Sequence, residues 1–297
     1  MDVLVFLQAN TTVFLVFVLL LGLSVGSFLN VVIHRFPLMM KRRWRGDCLE
    51  FLREEGDIRD LPGDDDSPAL TLARPASRCP HCGHRITALE NIPLLSYLFL
   101  RGRCRECGAP ISLRYPAVEL LTGLLCLAVA WKFGVSWAAL WGIVFSCTLV
   151  ALSFIDYDTR FLPDEMTLPL LWLGLLVNSA GIYTDLQAAV MGAVAGYLTL
   201  WVVYQAFKLL TGKEGMGFGD FKLLAALGAW MGWQALPAII LLSSLVGAVI
   251  GIGLIVLRGR DRSLPIPFGP YLAIAGWIFF MWGEAINRAY LDWLAAA

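Results

Sequence analysis

Two aspartates, Asp156 and Asp220, stand at the edges of long apolar segments, 64 residues apart in the chain. An ionisable side chain at a membrane face is costly to place and is a functional candidate by default. Asp156 opens Asp156-Tyr157-Asp158, followed by Leu162-Pro163-Asp164, and Asp220 closes Gly215-Met216-Gly217-Phe218-Gly219-Asp220. Two carboxylates sharing one site cannot both ionise easily, so a protonated acid sits beside a carboxylate. Such a pair activates water with its base and protonates a carbonyl with its acid, and its titration belongs to the pair. The glycines before Asp220 permit close backbone approach, and a peptide is expected to lie against that loop as an added strand. Asp158 is the less favoured partner. Asp164 reads as a cap for the helix that follows it.

A second constellation is Cys79-Pro-His-Cys82-Gly-His84 with Cys104-Arg-Glu-Cys107-Gly108, two CxxC knuckles with 21 residues between them. Two such pairs predict a tetrahedral zinc site with ligands Cys79, Cys82, Cys104 and Cys107. His81 and His84 are weaker alternative ligands. Four protein ligands close the coordination sphere, so the metal is structural. Two disulfides are the competing reading, which a reducing cytoplasm disfavours. Cys126 and Cys147 fall inside apolar runs and read as packing residues. Cys48 has no assignable role.

The elements that must position these groups are apolar and long. The chain has 297 residues, 58% of them hydrophobic, and a mean hydropathy of +0.70. Soluble domains are about 45–50% apolar. A bilayer span needs about 20 mostly apolar residues. Eight predicted segments qualify: 12–33, 116–133, 136–155, 165–183, 187–209, 221–235, 237–257 and 269–287. Alternating sides places connectors 34–115, 156–164, 210–220 and 258–268 together, and with Lys208 and Lys222 these hold 21 of the 23 Lys and Arg residues. The positive-inside rule makes that side cytoplasmic. Both aspartates then lie on the cytoplasmic side, and both termini face out. Tryptophans 137, 141, 172, 230, 233, 277 and 282 lie in or near the spans, several at ends where aromatic belts form.

The expected architecture is an all-α polytopic membrane protein with about eight transmembrane helices and one cytoplasmic zinc-binding insertion. Residues 1–33 carry the first span, 34–115 the zinc-binding domain and 116–297 a seven-helix transmembrane domain that holds both aspartates. The first apolar run follows Asp2 and precedes its basic residues, the reverse of a secretory signal, so it reads as an uncleaved span. Segment 38–74, with Asp64-Asp65-Asp66, reads as a solvated loop with a short helix near 47–55. A net charge of +0 offers no case for nucleic acid.

Other chemistries compete. Gly22-Leu23-Ser24-Val25-Gly26 matches the GxSxG of an intramembrane serine protease. Its base would have to be His34, ten residues away and about 15 Å along a helix; small residues in a span more often allow close helix packing. A transporter would use interrupted spans with polar residues near the midplane, but these acids sit at one face. Glu119 reads as a helix-end ion pair.

The chain resembles the bifunctional type IV prepilin peptidases, GxGD aspartyl proteases that are also N-methyltransferases. The motifs run nearly end to end: Gly26-Ser27-Phe28-Leu29-Asn30 through His34-Arg35, the two knuckles, Glu90-Asn91-Ile92-Pro93-Leu94-Leu95-Ser96-Tyr97, and Arg101-Gly102-Arg103-Cys104. They continue with Tyr115-Pro116-Ala117-Val118-Glu119, Ile155-Asp156 through Asp164, Gly217-Phe218-Gly219-Asp220-Phe221-Lys222 and Pro265-Ile266-Pro267-Phe268-Gly269-Pro270-Tyr271. The resemblance implies that Asp156 and Asp220 are the catalytic pair and that the four knuckle cysteines hold zinc. It implies multi-pass insertion in the bacterial inner membrane with the active site facing the cytoplasm. Type IV prepilin and pseudopilin precursors are the implied substrates. They are cut after a Gly, between a basic leader and an apolar helix usually opening with Phe. The new amino terminus is then methylated from S-adenosylmethionine, with Gly102 marking the expected donor region.

Overall fold

The computed structural model describes residues 3–54, 70–258 and 267–296. The Asp64-Asp65-Asp66 run, most of connector 258–268, and Pro265 and Ile266 lie outside the described residues. Among the described residues the regular structure is helical: α1 (Val3–Ala9), α2 (Thr11–Glu54), α3 (Leu95–Phe99), α4 (Arg114–Phe133), α5 (Trp137–Thr159), α6 (Asp164–Ser179), α7 (Leu186–Thr211), α8 (Phe218–Met231), α9 (Leu236–Arg258) and α10 (Gly269–Ala296). Each of the eight apolar segments is helical. Among the described residues, five helical segments are long and apolar enough to cross a membrane: Thr11–Glu54, Arg114–Phe133, Trp137–Thr159, Leu186–Thr211 and Trp233–Ile250. This is a helical membrane protein.

The differences from expectation have local causes. α2 does not stop at residue 33. It runs 44 residues through Pro37, about 66 Å at 1.5 Å per residue. Residues 38–46 therefore form helix where a loop was expected, and the short helix expected near 47–55 is the end of α2. Lys41, Arg42, Arg43, Leu49, Glu50, Leu52 and Arg53 are good helix formers. α6 has 16 residues and α8 has 14, both short of a full bilayer crossing. α6 gives way to Gly181 at φ +64°, and α8 ends at Gly232 with φ +83°, backbone that glycine adopts freely. α10 is long enough, but glycine and tryptophan dilute its hydropathy.

The chain divides into two compact units, Met1–Val18 with Leu125–Ala297, and Leu19–Leu124. In the larger unit α8 is the core element. Ten of its residues, Asp220 to Trp230 without Lys222, are buried, as expected of a helix apolar on all sides. Trp230, among the tryptophans read as lying in or near spans, is 0% exposed. Its indole nitrogen donates to the Leu170 carbonyl at 2.8 Å, and its ring stacks on Phe145 at 4.7 Å. Gly174 faces that ring and has no room for a Cβ. Asn178 donates to the Ala229 and Trp230 carbonyls at 2.8 and 3.0 Å and accepts from the Tyr183 and Thr184 amides. One buried amide thus satisfies the C-terminus of α8 and the turn between α6 and α7. α7 and α8 touch backbone to backbone at Gly192 and Gly228, a contact that only residues without Cβ atoms allow.

In the unit of Leu19–Leu124, α2 crosses the first turns of α4. A Cβ on Gly26 would lie 2.7 Å from the Glu119 Cα, and one on Gly123 would lie 2.8 Å from Leu23. The GxSxG glycine therefore serves helix packing. Ser24 donates to the Leu20 carbonyl of its own helix at 2.9 Å. Asn30 ties α2 to the start of α4 by donating to the Tyr115 carbonyl at 3.1 Å.

Candidate active site and cysteine cluster

α5 carries Asp156 into its last turn, and α8 carries Asp220 in its first. Both lie inside helices rather than in the loops beside them. Asp156 is 5% exposed and Asp220 8%. Leu162 links their surroundings, packing on Gly219 beside Asp220 and on Gly269, whose amide meets Asp156. Asp158 is exposed, because two residues along a helix turn the side chain through about 200°.

Leu162 gathers the surrounding backbone. A Cβ on Gly219 would sit 2.7 Å from the Leu162 Cβ, and one on Gly269 would sit 3.1 Å from its Cδ1. Gly219 is helical, Gly217 is the extended residue before the helix at φ −79°, and neither these nor Gly215 adopts a positive φ. The glycines of the GxGD run thus provide clearance and a helix start, not an irregular loop. Asp164 does not cap α6: Pro163 holds that position without a side-chain bond. Asp164 instead receives the Lys222 ammonium at 2.7 and 2.6 Å, joining the first turns of α6 and α8. Sequence reasoning missed two members of this neighbourhood. Lys222 follows Asp220 by two residues, and its partner is 58 positions away. Gly269 donates its amide to Asp156 Oδ2 at 3.0 Å, and no spacing rule predicts that contact.

In the other unit the four cysteines converge. Their sulfurs all lie within 4.8 Å of one another, with Cys79–Cys107 at 3.8 Å and Cys82–Cys104 at 3.9 Å. A disulfide would require about 2.05 Å, whereas a metal–sulfur distance of about 2.3 Å in a tetrahedron separates sulfurs by about 3.8 Å. The spacing fits a shared metal ion. The knuckles repeat one geometry. The Gly83 amide donates to the Cys79 carbonyl at 2.9 Å and Gly108 to Cys104 at 3.0 Å, with the Cys79 and Cys104 amides donating to His84 and Ala109 at 2.8 Å. Both glycines adopt φ near +70°, at +75° and +68°.

His84 is occupied elsewhere. Its Nε2 lies 3.2 Å from Glu90 and its Nδ1 3.6 Å from Glu106. Glu90 also accepts the Thr87 amide at 2.8 Å. That bond leads the interactions holding its carboxyl down at about 2, with His84 contributing. Gly102 has φ +67°, and a Cβ there would meet the Tyr97 hydroxyl at 2.7 Å. Backbone geometry and packing are therefore sufficient reason for glycine at 102. Glu119, read as an ion-pair residue, is 9% exposed and accepts the Leu94 amide at 2.9 Å. Cys126 and Cys147 pack with sulfurs 3.8 Å apart on α4 and α5.

Fold and site together define a helical membrane protein with two buried aspartates at helix ends and four cysteines at metal-ligand spacing. Residues 20–133 match the family described as Bacterial Peptidase A24 N-terminal domain, and residues 143–252 match the Type IV leader peptidase family. The chain is 60% identical over 274 residues to a prepilin leader peptidase/N-methyltransferase of Aeromonas hydrophila, covering 92% of each. It is 52% identical over 292 residues to that of Pseudomonas aeruginosa, covering 98% of each. To that of Neisseria gonorrhoeae it is 52% identical over 275 residues, 92% of each. No solved structure matches the chain. The chain belongs to the type IV leader peptidase family, as a prepilin peptidase and N-methyltransferase.

Proposed function

We propose that Asp156 and Asp220 form the hydrolytic pair that removes the leader from type IV prepilin and pseudopilin precursors at the cytoplasmic face of the bacterial inner membrane. The observation that carries this reading is the burial of both acids around Leu162, which packs on Gly219 beside Asp220 and on Gly269 against Asp156. Peptide hydrolysis needs a base that takes a proton from water and an acid that protonates the carbonyl oxygen. One carboxylate and one carboxylic acid supply both. The water oxygen bonds to the carbonyl carbon of the Gly at the cut. The carbon–nitrogen bond then breaks, and the departing amine takes a proton from the pair. The precursor's basic leader stays in the cytoplasm by the rule that orients the enzyme, which brings the scissile bond to the inner face. Eight crossings keep both acids on that face, with α6 and α8 as short spans.

The four cysteines hold a structural zinc ion, which folds the module without taking part in hydrolysis. In this reading residues 34–115 form the cytoplasmic zinc-binding domain, between a first span in 1–33 and the peptidase domain 116–297. S-adenosylmethionine supplies the methyl group for the new amino terminus, and the proposed donor region is that around Gly102.

The test is co-expression with a precursor, reading leader loss and N-terminal methylation by mass. Asp156→Asn or Asp220→Asn should abolish cleavage, a loss of at least about a thousandfold, while the protein still inserts. Full cleavage by either variant removes that residue from the mechanism. A transporter would leave the precursor intact. A serine protease would lose activity on Ser24→Ala and keep it on Asp220→Asn. Metal analysis of the purified protein should find about one zinc per chain, and chelation should release it. Absence of metal with four free knuckle thiols would refute the site.

A further inference from the structure

The run Pro267-Phe268-Gly269-Pro270 has no part in the hydrolytic scheme so far, yet its backbone touches the site. α10 begins at Gly269, so the Gly269 amide is one of the helix donors with no partner inside the helix. That amide donates to Asp156 Oδ2 at 3.0 Å, a buried bond between positions 113 residues apart. The approach requires glycine, since a Cβ there would lie 2.7 Å from Asp156 Oδ2 and 3.1 Å from its Cγ.

We infer that Gly269 is a positioning residue for hydrolysis: the first amide of α10 fixes one oxygen of Asp156 and aims the other at the attacking water. This rests on the reading of Asp156 as catalytic. Three observations converge on it. The amide is directed at the carboxylate rather than at a backbone carbonyl. The absence of a Cβ leaves the carboxylate its place. Leu162, packed on Gly219 next to Asp220 and on Gly269 next to Asp156, keeps the start of α10 in register with both acids. A carboxylate that accepts one amide bond is held in a single rotamer, and the positive end of the helix favours its charged form. Asp156 is then the base, with Oδ1 taking the proton of the water. Asp220 is the acid. The proton returns from Asp156 to the leaving nitrogen as the carbon–nitrogen bond breaks.

The test compares Gly269→Ala, Leu162→Ala, the double variant and Asp156→Asn in detergent-solubilised full-length protein, with a purified precursor as substrate. Gly269→Ala keeps the amide but crowds the carboxylate. It should lower kcat about a hundredfold, the usual consequence of displacing a reacting group by about 1 Å, with KM changed less than about threefold and thermal unfolding close to the parent. Gly269→Pro removes the amide at a first helical position where proline is tolerated, and it should give a similar loss. Leu162→Ala in the double variant relieves only the contact with Leu162, so kcat should stay low. Parental kcat in Gly269→Ala, or recovery of kcat in the double variant, would overturn the inference and leave Gly269 as packing alone. In either case an inactive Asp156→Asn preserves the catalytic reading, whereas an active Asp156→Asn removes that reading itself.

Discussion

At the scale of single residues, neighbouring groups decide what each acid does. Asp156, Asp158, Asp164 and Asp220 are the same side chain in three settings: two buried, one exposed and one paired with lysine. Glu90 is a further case, in the cysteine module. The Thr87 amide, with help from His84, holds its carboxyl at about 2 against an ordinary 4.5. A carboxyl held low in the folded state contributes stability above its unfolded value and loses that contribution as pH falls through the folded one. Support from Glu90 is therefore complete above about 4.5 and fades as the pH falls toward about 2. Glu90→Gln should release metal at a milder pH than the parent, measured as zinc retained across an acid titration. Identical release curves would remove Glu90 from the module's support.

At the scale of elements, the placement of Asp220 depends on how closely α8 is held. α8 packs against α7 with no side chains between Gly192 and Gly228, and Gly196 lies against the Leu224 backbone. A methyl group here meets main chain, which cannot rotate away. Gly192→Ala and Gly228→Ala should each destabilise the protein by about 1–3 kcal/mol, the usual cost of overpacking. They should also lower cleavage by displacing Asp220, as read by thermal unfolding and precursor processing together. Unchanged unfolding in both variants would mean that the helices separate without penalty. α10 shows a compensated defect. At Trp282 its backbone leaves the helical region, at φ −130° and ψ 16°. The Lys132 ammonium donates to the Phe280 carbonyl at 3.1 Å and to that of Met281, serving carbonyls next to the kink.

At the scale of the whole molecule, function depends on which side of the bilayer each connector occupies. Connector 210–220 is proposed to face the cytoplasm and the start of α7 the opposite side. A membrane-impermeant thiol reagent applied to intact cells should label Gln187→Cys and spare Lys213→Cys until the membrane is broken. The reverse pattern would invert the topology and end the proposal of cytoplasmic cleavage.

Hydropathy and charge were legible without coordinates because they are additive along the chain. Twenty apolar residues partition into lipid wherever they later pack, and basic residues bias their own connectors. The long apolar helices follow from that, and the cysteine cluster from spacing, since its two CxxC pairs each close a local turn through Gly83 and Gly108. The pairing of Asp156 with Asp220 could be proposed from sidedness and motif, since both acids fall at the same predicted depth. Helix limits were less legible. α2 continues past residue 33 because helix formers follow the apolar run, while α6 and α8 stop early at glycine-bearing turns. Only the tertiary structure assigned Lys222 to Asp164, the Gly269 amide to Asp156 and Trp230 to the core. Those contacts join residues 58 to 113 positions apart. They depend on which helix faces pack together, and no single segment of sequence carries that information.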